Sequence, residues 1–186
     1  MAASRPPSPI TPDDFELMKK TALFDHEDSQ YLRMSYEVLA GQVEAVLDVW
    51  YGFVASHPHL LASFARKRDG QPDPGYLAGV RKRFGQWILD TAAANYDATW
   101  LSNQFEIGRR HHRTGKNQTD QVEAADHVPF RYLIPLIFPI THTLKPFLAS
   151  KGHPPEQVDK MHQAWVKSLL LQVALWSQVY VQPGDF

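Results

Sequence analysis

Two adjacent histidines, His111 and His112, stand in the stretch EIGRRHHRTGKNQ, residues 106–118, at the end of a helical pattern and amid four cationic side chains. Imidazole titrates near neutrality and its neutral form is a good metal ligand, so the pair is where chemistry is most readily placed. Neighbours on a helix point about 100° apart, so the two rings cannot serve one site together. Spacing does not choose between them. His111 follows Ile107, Gly108 and Trp100 at helical intervals, and His112 follows Gly108, Phe105 and Leu101. On one reading they are two imidazoles answering the last carbonyls and the negative end of a helix dipole. On the other, one is a haem ligand, with Gly108 a turn earlier leaving room for a flat ligand to lie close.

The other histidines offer less. His26, His57, His59, His127 and His153 fall at helix starts or in loops and read as solvated polar groups, whereas His142 and His162 are helical. The chain lacks cysteine, which removes disulfides, thiolate metal sites and covalent haem attachment. No glutamate precedes a histidine by three residues, no two histidines are spaced i, i+4, and neither GxSxG nor a phosphate-binding glycine loop occurs. The carboxylate pairs Asp13-Asp14 and Glu27-Asp28 sit at helix starts, where dipole compensation explains them.

The elements that must position the pair are helical. The chain has 186 residues, 44% hydrophobic and 21% charged with a formal charge of −1, which suits one globular domain and gives no reason to expect a nucleic-acid partner. Its start has no apolar signal core, and the apolar run over 132–149 carries His142, Lys145 and three prolines; the expectation is a cytoplasmic protein without a membrane span. Residues 1–10, with three prolines, read as a loose tail, leaving 11–186 as the domain. Thr11-Pro12-Asp13-Asp14 opens a short helix, and Asp25 starts a longer pattern through Leu32, Leu39, Val46, Trp50 and Val54. Gly41 marks a bend in it, and Ser56-His57-Pro58 ends it.

A brief helix over 59–64, a helix over 76–91 and a helix capped by Asp97 that runs through both histidines to Thr114-Gly115 come next. Residues 128–149 predict a helix kinked by Pro135, Pro139 and Pro146, and Pro154-Pro155-Glu156 opens the longest helix. With no strand or hairpin signal, the fold class is all-α, about seven or eight helices, nearer an irregular globin-type bundle than a four-helix bundle.

Five stretches, VLDVWYGFVASHPHLL, YLAGVRKRFGQWILDT, EIGRRHHRTGKNQTD, RYLIPLIFPITHTLKPFLA and QAWVKSLLLQVALW, resemble the protoglobins in order and spacing, and the likeness runs from about Ile10 to the GDF ending. The resemblance implies a globin-like helical sandwich with an extra N-terminal helix, binding haem b. It makes His111 the proximal iron ligand and His112 its outer neighbour. It puts Trp50, Tyr51, Phe84, Leu136 and Ile140 in the distal ligand pocket, and Val54, Ile107 and Ile137 against the haem, with Arg83 as propionate partner. Without cysteine the haem must be held non-covalently. The sequence departs from the family pattern at Pro135-Leu136, where members more often have a small residue and then a large aromatic, which bears on gas access. The implied function is reversible binding of O₂, CO and NO, as sensor, store or scavenger. Nitric-oxide dioxygenase or peroxidase-type chemistry and a haem-free helical module are the competing readings. The family habit and the apolar girth of the last helix over 169–181 imply a homodimer through the last two helices.

Overall fold

The computed structural model describes residues 8–182 and 184–186, so the first seven residues of the expected tail lie outside the described residues. Of the remainder, Ile10 already packs on the core. Nine α-helices and no strand occur among the described residues: α1 (Pro12–Thr21), α2 (His26–Leu39), α3 (Val43–Ala55), α4 (Pro58–Leu61), α5 (Pro74–Ala93), α6 (Ala98–His111), α7 (Phe130–Leu133), α8 (Ile137–Leu148) and α9 (Pro155–Ser177). Two of these, α4 and α7, are single turns; α4 falls within the brief helix expected over 59–64, whereas α7 was expected as part of one kinked helix with α8.

Local chemistry sets most boundaries. Thr11 and Asp25 each close a reciprocal capping box with the aspartate three residues on, and Asp73 and Asp97 cap α5 and α6 through their carboxylates. Between α2 and α3 the chain turns by 95°. There the Gln42 amide donates to the Val38 carbonyl, which satisfies one of the free acceptors at the end of α2.

The proline-rich segment follows one bent helical path rather than a single helix. Pro135 and Pro139 have no N–H to donate, and the backbone passes the break on shorter i→i+3 bonds, Ile137 N–H to Ile134 O and Phe138 N–H to Pro135 O. Pro139 then falls in the first turn of α8, where its missing donor costs nothing, while Pro146 lies inside the helix. The segment Phe130–Lys151 has the length and apolarity to cross a membrane, but α8 packs against α2, α3 and α9 as part of the core.

Helix α9 is the axis of the molecule and packs on α2, α6 and α8. Its wide apolar girth, expected to need a second copy, is largely covered within the chain: Leu169, Leu171, Val173, Leu175 and Trp176 are all buried. Two of its polar residues, Ser168 and Gln172, are buried too, and they are paired. Gln172 accepts from the Trp87 indole of α5 at 2.6 Å and donates to Thr91 and Ser168, and the Trp165 indole donates to Ser35 of α2 at 2.9 Å. Satisfied buried bonds of this kind fix helix rotation as well as helix contact.

Candidate functional site

A cavity of about 590 Å³ lies between α3, α5, α6, α8 and α9, well within the size of pockets that enclose a small molecule or cofactor. All ten residues singled out from the sequence line it: His111, Tyr51, Trp50, Phe84, Leu136, Ile140, Arg83, Ile107, Ile137 and Val54. The two histidines are separated by the end of their helix. Helix α6 stops at His111, and His112 turns to an extended backbone, φ −98° and ψ 158°, instead of continuing to Thr114-Gly115. The His112 ring goes outward, its Nδ1 against the Thr114 hydroxyl and its edge against Tyr180. His111 is the one histidine on the cavity wall among the described residues.

Three contacts hold the His111 ring. Its Nδ1 lies 2.8 Å from the Ile107 carbonyl, which can only accept, so Nδ1 carries the proton and the neutral ring keeps its lone pair on Nε2. Its face stacks on the Trp176 indole, centroids 5.3 Å apart and planes within 11°. That indole is in turn fixed by a 2.8 Å bond from Nε1 to the buried Gln104 amide of α6. Burial of the imidazole, with help from the Lys116 and Arg110 charges, lowers its pKa and favours the neutral form, although the bond to Ile107 works the other way.

Gly108 has a different use from the one expected. A Cβ there would lie 2.9 Å from the Trp176 carbonyl oxygen and 3.0 Å from its Cα, so the missing side chain lets α6 approach α9 and gives no added room to a ligand. The close approach is what brings the Trp176 ring against His111.

The opposite wall is aromatic. Trp50 stacks on Phe53 and tilts against Phe84, which itself stacks on Trp87 at 5.1 Å. Trp50 and Tyr51 both reach the cavity although they are neighbours on α3. The Tyr51 hydroxyl makes no hydrogen bond among the described residues, and burial pushes the phenol up to about 12, against the Arg81 and Arg83 charges, so it stays a protonated donor. Leu136 and Ile140 pack on the cluster of Trp50, Val54 and Leu60.

Arg83 reaches the wall with its guanidinium already held by Asp120 in a two-pronged pair, 2.9 and 2.6 Å. Gly79 makes room for that carboxylate, whose oxygen would lie 2.9 Å from an added Cβ. Trp87, Trp176 and Tyr76 also line the cavity. The sequence does not reveal the first two as site residues because they carry the helical spacing of core residues, and Tyr76 reads only as the start of α5. Lys116 comes from the loop after α6.

Among the described residues no cluster of three or more His, Asp or Glu could hold a bare metal ion. A metal at His111 must therefore bring its other ligands with it. A planar macrocycle that carries its own nitrogens fits this wall: one pinned imidazole, an apolar and aromatic enclosure, and a few polar groups.

The comparisons with known proteins agree with that fit. The structure is similar to the globin domain of the Geobacter sulfurreducens globin-coupled sensor, with a TM-score of 0.68 at 18% identity, covering 90% of this chain and 97% of that one. At that identity the likeness shows a shared globin-like fold and nothing finer. No curated protein matches the chain. The profile of the Protoglobin family matches residues 11–185, nearly the whole sequence, and its match supports a haem-globin, gas-binding role: the chain belongs to the protoglobin family.

Proposed function

We propose that the protein binds haem b non-covalently, with His111 as the axial ligand, and takes up the diatomic gases O₂, CO and NO reversibly in the cytoplasm. The observation that supports this most is a single neutral imidazole, its Nδ1–H bonded to Ile107 and its face braced by Trp176, on the wall of an apolar cavity of about 590 Å³. Haem bound there would supply the iron that takes up the gas. The protein's own residues do the rest. The Ile107 carbonyl and the Trp176 indole orient the imidazole, as outer-shell groups do for metal-ligating histidines. Trp50, Phe84 and Ile140 exclude water, and the Tyr51 phenol donates a hydrogen bond to a polar gas ligand. The purified chain, loaded with haem, is expected to show a Soret band, a b-type pyridine haemochrome and a reversible CO difference spectrum. A chain that takes up no haem would contradict the proposal, and sustained turnover of NO or peroxide would move it from carrier or sensor to enzyme.

The protein is further proposed to act as a homodimer. Support comes from an exposed stripe on the bent helix: Ile134 is 53% exposed, Phe138 is 73% exposed, and His142 stacks on Phe138 one turn later. Leu170 adds an exposed apolar group on α9. Large apolar side chains repeated along one face are the usual sign of a surface meant to be covered.

A further inference from the structure

The cavity wall holds three Lys or Arg side chains among the described residues, and two of them contact a carboxylate. Arg83 is paired with Asp120, and Arg110 with Glu106, a carboxylate it shares with Arg109. Lys116 is different. It is only 3% exposed, and its Nζ makes one hydrogen bond, to the Ser63 carbonyl at 2.8 Å, with the Tyr76 ring 5.0 Å away. Neither neighbour carries a negative charge. Among the described residues Lys116 forms no ion pair, and Asp126, whose charge it feels, is taken by Lys67. An ammonium has three hydrogens to donate, so two are left without a described partner. Burying a charge without a counter-ion is costly, and buried charges are ordinarily paired. Burial lowers the Lys116 pKa to about 8, which still leaves it mostly protonated at neutral pH.

Ser63, Tyr76 and Lys116 all lie on the wall of the cavity that contains His111. We infer that Lys116 is completed by the ligand: its ammonium binds a carboxylate of the macrocycle, making it the residue that selects a porphyrin with free acid side chains. The inference rests on the haem reading above. It also shifts the acid-binding role expected of Arg83 towards a residue in the loop, because the Arg83 fork is engaged by Asp120 while Lys116 has no carboxylate at all. A charge-assisted hydrogen bond in an enclosed site should slow ligand loss on the order of tenfold.

The test compares iron protoporphyrin IX with its dimethyl ester, which has the same ring and iron but no acid groups. Each is loaded into the full-length parent, Lys116→Met and Lys116→Gln, and loss to excess apomyoglobin is timed. The parent should release the free acid about tenfold more slowly than the ester. Both variants should release the two at similar rates, with an unchanged helical circular dichroism spectrum. Gln keeps a donor for the Ser63 carbonyl without the charge, so a purely structural role for Lys116 would leave the parent's preference intact in that variant. A parent that shows no preference for the free acid, or a variant that retains it, overturns the assignment while leaving His111 ligation standing. A chain that takes up neither porphyrin overturns the haem reading itself, and this inference with it.

Discussion

At the scale of single residues, the two sides of the cavity differ in how they are held. The His111 side is fixed: the ring is bonded by Nδ1 to Ile107 and stacked on Trp176, which Gln104 anchors. On the distal side the Tyr51 hydroxyl keeps its donor free, and with a pKa of about 12 it remains protonated at any physiological pH. A hydrogen bond from it to a bound gas is worth about 0.5–1.5 kcal/mol, more where the ligand carries partial negative charge. Tyr51→Phe is therefore expected to speed O₂ dissociation several-fold and leave CO dissociation nearly unchanged, since bound CO gathers little charge. Flash photolysis or stopped flow measures both rates, and equal changes for the two gases would reduce Tyr51 to a steric role. Which of His111 and His112 faces the cavity was out of reach of spacing, because it depends on where α6 ends, and the chain leaves the helix between them.

Among elements, the contact of α6 with α9 matters most for the site. Gly108 brings the two backbones together, and an added Cβ would meet the Trp176 main chain at 2.9 to 3.0 Å, where no side-chain rotation can relieve it. Gly108→Ala gains up to about 1 kcal/mol of helix propensity, less near a helix end, but overpacking costs about 1–3 kcal/mol. We expect net destabilisation, read as an earlier urea midpoint, together with faster haem loss as Trp176 shifts behind His111; an unchanged midpoint would mean that the two helices part without cost. Capping residues made the helix starts at Thr11, Asp25 and Asp97 legible in sequence. The bent path through Pro135 and Pro139 was legible as a kink, but its division into α7 and α8 depends on which carbonyls find donors across the break. Gly108 was noticed for the wrong reason. Its neighbour in space, Trp176, is far along the chain and indistinguishable there from the rest of an apolar stripe. Lys116 and Asp120 lie in a loop whose path no periodicity describes.

For the whole molecule, most of the apolar surface of α9 is spent inside the chain, and the exposed apolar groups proposed to meet a partner copy are Ile134 and Phe138 on the bent helix and Leu170 on α9. Light scattering at micromolar protein is expected to give twice the chain mass of 21.2 kDa, and Phe138→Glu to return it to the monomer. A parent that scatters as a monomer would remove the dimer from the account. The cavity, the pinned imidazole and the family assignment meet in the claim that His111 alone holds the iron. The most direct measurement is the ferrous absorption spectrum of His111→Ala and His112→Ala, each loaded with haem and passed through a desalting column. The account predicts that His112→Ala keeps its haem and a five-coordinate ferrous spectrum like the parent's, while His111→Ala loses the haem or that spectrum. The reverse pattern, or a His111→Ala variant indistinguishable from the parent, would contradict it.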